Sequence, residues 1–326
     1  MNIEKEKITN FEDLVVNAKK TLLLTHKNPD GDALGSLLAL FLVLNRIGKN
    51  ITPACADPAP ENFHFLPGVE KIVQDFEATE FDLVIVLDCG DPHQTNFDKS
   101  KPELWDGSRK LIKIDHHTLA TEWGDMKLVY PDACATCFIL EKIFEELHVP
   151  IRPDVATCLL TGISTDTGSF QHSNTSPAVL RLAAKLLRAG ANLVVFTKNV
   201  FQTTPISTMK LWGRVLDTVK QTKDSITLAV AQQKDFNETG AKISELAGVV
   251  NYVNAVPNAK FSILLTERDD LVKASLRTQR EDVNVAKIAS TFGGGGHTKA
   301  AGFAVSGKLE QETRWKVVQT EQKNNI

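Results

Sequence analysis

The chain has 326 residues, 42% of them hydrophobic and 24% charged, which is ordinary for a globular protein and long enough for two domains. Thirty-seven Lys+Arg against 40 Asp+Glu give a net charge of −3, which excludes a strongly basic protein built to hold long duplexes by charge. The longest apolar run, residues 37–44, is far short of the roughly 20 residues of a membrane span, so none is expected.

The first fourteen residues, MNIEKEKITNFEDL, lack an apolar stretch and a cleavage site, so no secretory leader is expected. The strand-like run TLLLT (21–25) comes first. Residues 32–47 read as a helix with Gly48 as its stop, and 51–54 as a short strand. DLVIVL (82–87) and LIKI (111–114) are two more strands. Residues 137–147, 155–160 and 177–189 read as helices, the last closed by Gly190. Strands alternating with helices predict an α/β fold with a mostly parallel sheet flanked by helices and covered on both faces.

After about residue 190 the pattern changes. Residues 192–220 read as a helical connector broken at Thr203-Thr204-Pro205. Strands are expected at 226–231 and 260–266 with a helix around 243–253 between them. Asp269-Asp270 signals a turn into a returning strand at 272–277. A helix at 283–292 leads into Gly293–Gly296, with a last strand at 303–305 and a polar tail from Glu310 expected to fray. The expected domains are 1–190, a linker at 191–222, and a smaller α/β domain at 223–326, with a cleft between the two domains.

Five cysteines without regular spacing fit a reducing cytoplasm better than a disulfide framework. Cys134-Ala135-Thr136-Cys137 has no second pair to complete a zinc site and reads as a helix start. Phe63 and Phe65 could stack on a base or pack a loop, and core packing is at least as favoured.

The placement of the acids is the informative feature. Strand 21–25 runs into His26-Lys27-Asn28-Pro29-Asp30-Gly31-Asp32, strand 82–87 into Asp88, and strand 111–114 into Asp115-His116-His117. Segment 161–165 runs into Asp166. All four are expected at strand ends, the edge where open parallel sheets bind ligands. Like charges gathered there would repel unless cations lie between them. Oxygen and imidazole donors suit manganese or magnesium. Six candidates, His26, Asp30, Asp32, Asp88, His116 and Asp166, are too many for one ion and about right for two sharing an aspartate, the arrangement for displacement at phosphorus. Asp32 taken alone reads equally well as a helix cap.

These motifs, with Gly162-Ile163-Ser164-Thr165-Asp166-Thr167-Gly168, Ser275-Leu276-Arg277, and Gly293-Gly294-Gly295-Gly296-His297 followed by Ala300-Ala301-Gly302, resemble the DHH phosphoesterase family with its associated C-terminal domain. The resemblance covers roughly residues 10–310 and is nearest to the short branch of nanoRNases and pAp phosphatases. It implies one manganese on His26, Asp30 and Asp88 and a second on Asp32, Asp88, His116 and Asp166, magnesium or cobalt being alternatives. It implies that His117 faces the substrate phosphate or protonates the leaving oxygen, with Asp115 orienting the neighbouring imidazole. Arg277, Ser275, Gly294, Gly295, Gly296 and His297 would bind the substrate. The glycine run is more than a helix stop needs, which favours binding. Relatives often carry Arg where Gln94 stands, which puts the strength or choice of substrate in question.

The expected activity is therefore manganese-dependent hydrolysis of short oligoribonucleotides to mononucleotides, removal of the 3'-phosphate of pAp, or both. The alternatives are a linear or cyclic di-adenylate phosphodiesterase and, in another class, a non-catalytic nucleotide-binding regulator. Residues 260–308 carry a local +3 and the remainder −6, which suits a short phosphorylated ligand better than a long polymer. The expected partners are short single-stranded RNA or a small nucleotide, with no membrane and no long duplex. A homodimer is compatible with the sequence.

Overall fold

The computed structural model describes residues 3–117, 122–246, 248–310 and 312. From residue 313 on, the polar tail lies outside them, as does residue 247 within the helix expected at 243–253. The chain divides into two compact units, Met1–Thr203 and Thr204–Ile326.

The first unit opens with α1 (Lys5–Asn17), whose Ile8, Phe11 and Val15 recur at helical spacing and are buried. β1 (Thr21–Leu24) is buried along its whole length and leads to α2 (Gly31–Arg46). β2 (Ile51–Ala54), β3 (Leu83–Leu87), β4 (Lys110–Asp115) and β5 (Met126–Val129) complete a five-stranded parallel sheet in the order β2-β1-β3-β4-β5. β5 carries no apolar run and was not anticipated. It pairs with β4 through Ile112–Asp115 and buries only Met126 and Leu128 deeply. α3 (Thr136–Glu146), α4 (Pro153–Asp166), α5 (Pro177–Arg188) and α6 (Leu193–Phe201) follow.

Alternate residues of each strand face opposite ways. Leu23, Ile85, Leu87, Ile112 and Ile114 pack against side chains of α1 to α5. Leu22, Leu24, Val84 and Val86 pack instead against Ala78, Phe81, Phe97 and Leu104, which lie in turns and loops. The helices of this unit therefore gather on one face, and short 3₁₀ turns such as Ala78–Glu80 and Pro102–Trp105 help close the other. Phe63 is buried and Phe65 meets Phe196 edge-on at 6.5 Å, so this aromatic pair packs the loop.

α2 and α4 approach closely because both offer glycine at the crossing. A Cβ on Gly35 would sit 2.6 Å from the Cys158 carbonyl, and one on Gly162 would sit 2.5 Å from Asp32 Oδ1. A larger residue at Gly35 would have to push main chain aside, and one at Gly162 would displace the Cys137 and Asp32 side chains.

The second unit begins with α7 (Ile206–Asp217) and carries β6 (Lys220–Gln221), β7 (Ile226–Ala231), α8 (Gln233–Thr239), α9 (Val249–Val253), β8 (Phe261–Arg268), β9 (Leu271–Arg277), α10 (Val285–Ser290), β10 (Gly295–His297) and β11 (Ala300–Ser306). Its sheet runs β10-β11-β9-β8-β7-β6, antiparallel except for the β7–β8 pair. β8 and β9 turn at Asp269, which takes a left-handed φ of 52°. One core gathers Leu211, Val215, Ala229, Val249 and Leu264; a smaller one gathers Ala274, Leu276, Val285 and Ala289. No helix among the described residues is long and apolar enough to cross a membrane.

Candidate active site

The strand order reverses between β1 and β3, and the loops leaving these two strands carry His26 and Asp88. Such a reversal opens a crevice at the C-terminal edge of the sheet. The adjacent β4 delivers Asp115, His116 and His117 to the same edge. Asp166 arrives differently from the expectation: it ends helix α4, not a strand. The glycine-lined crossing of α2 and α4 brings it to Asp32, so helix packing supplies what strand register supplies for the others.

Three groups of donor atoms converge, each group lying within 4.8 Å: His26, Asp30 and Asp88; Asp32, His116 and Asp166; Asp88, His116 and His117. Asp88 belongs to two of them with different oxygens. Its Oδ2 lies 3.7 Å from His26 Nε2, and its Oδ1 lies 3.5 Å from His116 Nε2. Asp88 itself holds φ 55°, a left-handed conformation that costs free energy for a non-glycine residue and is retained where the side chain must be aimed.

Backbone and hydroxyl groups orient these donors. His26 Nδ1 lies 2.8 Å from the Lys27 carbonyl; donating there leaves Nε2 free toward Asp30 and Asp88. Asp30 Oδ1 accepts from the Asp32 and Ala33 amides, so the cap of α2 is Asp30, and Asp32 is left to face inward. Fully buried Asp32 accepts from the Thr136 and Cys137 amides, the first of α3, at 2.5 and 2.9 Å. Thr136 Oγ1 donates to Asp88 Oδ1 at 3.0 Å. Sequence reasoning missed Thr136, whose partner Asp88 lies 48 residues away in the chain. The segment 134–137 does begin a helix, and its buried Cys134 and Cys137 are unpaired thiols.

Asp115 Oδ1 accepts from the His116 and His117 amides and from His117 Nδ1, the last at 2.7 Å. That bond is the main force raising the His117 pKa above its ordinary value, against the opposing effect of burial. The His117 side chain is 49% exposed, the most open of the cluster's imidazoles.

The donor set fits divalent metal. Burial, followed by the charges of Asp88 and Asp166, pushes the Asp32 carboxyl well above its usual range. Asp166 moves the same way, through burial and the charges of Asp88 and Asp30, with His116 opposing. Among the described residues no Lys or Arg forms an ion pair with Asp30, Asp32, Asp88 or Asp166. Carboxylates so placed need another cation, and oxygen with imidazole nitrogen is the ligand chemistry of magnesium- and manganese-type ions.

His172 and His93 stand apart from these groups. His172 Nδ1 faces the Asp166 carbonyl at 3.3 Å, and exposed His93 pairs with Asp98 at 2.5 Å. Gln94, at the position where Arg was noted in relatives, closes a capping box with Asp91.

In the second unit, sheet register aligns the residues expected to bind substrate. His297 pairs with Ala300, Ala300 with Arg277, and Arg277 with Ser262; the next like-facing rung runs Gly295, Gly302, Ser275, Leu264. His297, Arg277, Gly295 and Ser275 thus share one face of the sheet. The glycine run has more structural duty than expected. Gly293 has φ 73° after α10, and Gly296 has φ 141°. A Cβ on Gly294 would lie 2.2 Å from the Gly302 carbonyl, whereas one on Gly295 would meet nothing within 4 Å.

Residues 20–163 match the N-terminal domain of the DHH family, and residues 198–320 match the DHHA1 domain. The bifunctional oligoribonuclease and PAP phosphatase NrnA of Thermus thermophilus is 34% identical over 288 residues, 87% of this chain and 84% of its own. The protein of the same name in Bacillus subtilis is 25% identical over 87% of this chain and 88% of its own. The crystal structure of an exopolyphosphatase-related protein from Bacteroides fragilis is similar at a TM-score of 0.85 and 25% identity, covering 94% of this chain and 93% of that one. With two domain matches in sequence order and a relative this similar across most of both chains, the chain belongs to the DHH phosphoesterase family.

Proposed function

We propose that this protein is a divalent-metal phosphohydrolase that degrades short oligoribonucleotides to mononucleotides and removes the 3'-phosphate of pAp. The observation that carries the reading is the split of Asp88, one oxygen toward His26 and the other toward His116, between two groups of metal-type donors. Both activities appear in the name of the Thermus relative.

His26, Asp30 and Asp88 would hold one ion, and Asp32, Asp88, His116 and Asp166 a second, manganese being the first candidate. Bound there, the ions would supply an activated water and offset charge on the phosphoryl oxygens. His117, fixed through Nδ1 by Asp115 and half-exposed, presents Nε2 as the donor to the leaving oxygen. Its raised pKa favours the protonated form that this task requires. Arg277 offers a guanidinium fork to a terminal phosphate, with His297 on the same sheet face. Residues 1–190 would be the catalytic domain, 191–222 the linker and 223–326 the substrate-binding domain, working in the cytoplasm on small nucleotides or short single strands.

The test is release of phosphate from pAp and of mononucleotide from a labelled RNA dinucleotide, with and without manganese. Metal-dependent turnover of either substrate supports the reading. Metal binding with turnover of neither overturns it.

A further inference from the structure

Lys113 lies in the middle of β4, between the fully buried Ile112 and Ile114, and its side chain is 1% exposed. A buried ammonium persists only where partners compensate for lost water. Its Nζ donates to the Gly90 carbonyl at 2.8 Å and stands 4.8 Å from the centre of the Trp123 ring. Trp123 Nε1 donates to the same carbonyl at 3.1 Å. On its other side the ammonium is 3.7 Å from Asp115 Oδ2, an ion pair beyond hydrogen-bond length.

Each of these contacts leads to the candidate site. Gly90 is two residues beyond Asp88, so the ammonium ties the loop after β3 to the end of β4. Asp115 is fully buried, and its other oxygen takes the His116 and His117 amides together with His117 Nδ1. Burial alone would raise the Asp115 carboxyl, yet it is held below the usual range by His117 and Lys113.

We propose that Lys113 is a positioning residue: its ammonium stands behind Asp115 as counter-ion and braces Gly90, so that Asp115 holds the His117 ring with Nε2 toward the substrate. This rests on the reading of His117 as the group that meets the phosphate or the leaving oxygen. The polar contacts of Asp115 and the loop after Asp88 then have one common anchor, which neither touches substrate nor binds metal.

The test uses Lys113→Met, which keeps most of the stem, and Lys113→Gln, which keeps a donor for Gly90 but not the charge. Kinetics on pAp and on an RNA dinucleotide are combined with histidine ¹⁵N spectra of the metal-free protein. The expected result for each variant is a kcat at least tenfold lower, a KM within twofold of the parent, manganese affinity within threefold, and a displaced His117 Nδ1 resonance. A folded variant whose kcat stays within twofold, or whose His117 resonance does not move, overturns the proposal. If Lys113→Met does not fold, Lys113→Gln decides by the same criteria. Should the parent hydrolyse neither substrate, the functional reading fails, while the His117 resonance still decides whether Lys113 sets that ring.

Discussion

Asp32 accepts the Cys137 backbone N–H at 2.9 Å, a contact between residues 105 apart in sequence. The first turn of one helix thus serves as acceptor for the open N-terminus of another, whose own N-cap residue, Ala135, has no side chain for the purpose. The same turn of α3 sends the Thr136 hydroxyl to Asp88, so two acids of the candidate site are aimed by one helix end.

Thr136→Val removes that hydroxyl and keeps the shape. Manganese affinity should fall by about 10–100-fold, the usual effect of losing a hydrogen bond behind a metal ligand. Thr136→Ser should restore most of it. Titration calorimetry of the three proteins measures this, and unchanged affinity in the valine variant would show that Asp88 needs no such support.

Asp88→Asn keeps a residue tolerant of positive φ and removes the charge shared between the two donor groups. Turnover should drop by at least about 10²-fold, with near-parental folding by circular dichroism. A variant with ordinary turnover would refute the paired-ion arrangement.

The metal-free protein should lose stability as pH rises. Burial works to lower the His26 and His116 pKa values, but the neighbouring carboxylates, through hydrogen bonds and charge, hold both at about 9 against an ordinary 6.5. The stability linked to their protons is complete below pH 6.5 and is lost as pH climbs through about 9. The raised carboxyls of Asp32 and Asp166 act in the same direction, since ionising them in the folded state is unfavourable. Calorimetry without metal should show Tm falling by on the order of 5 °C over this span. Manganese should shrink that fall, because metal binds the deprotonated ligands.

Two adjacent glycines allow structure and binding to be told apart. Gly294→Ala would press a methyl group onto the Gly302 carbonyl and should cost about 1–3 kcal/mol. Gly295→Ala meets open space and should leave Tm unchanged while raising KM if a nucleotide lies against that strand. Paired melting and kinetic measurements separate the two, and a Gly295→Ala enzyme with unaltered KM would remove that residue from the substrate site.

The fold was legible wherever residues carried a local signal. Apolar runs marked β1, β3 and β4, and acids directly after them marked the sheet edge, because a strand end fixes where the next side chain emerges. β5 was silent, since MKLV alternates too briefly to stand out from a loop. Asp166 was a candidate ligand from its sequence but was expected after a strand, whereas it ends a helix. Its position depends on the meeting of Gly35 and Gly162, which no local pattern announces. Thr136 was invisible for the same reason: its partner lies 48 residues away. The glycine run was read mainly for ligand approach, whereas three of its four members answer to positive φ or close backbone contact.

The contact of Gly35 with the Cys158 carbonyl makes main chain, and not a side chain, the limit on how near α2 and α4 can come. A methyl group at position 35 would wedge the two helices apart and draw Asp32 away from Asp166.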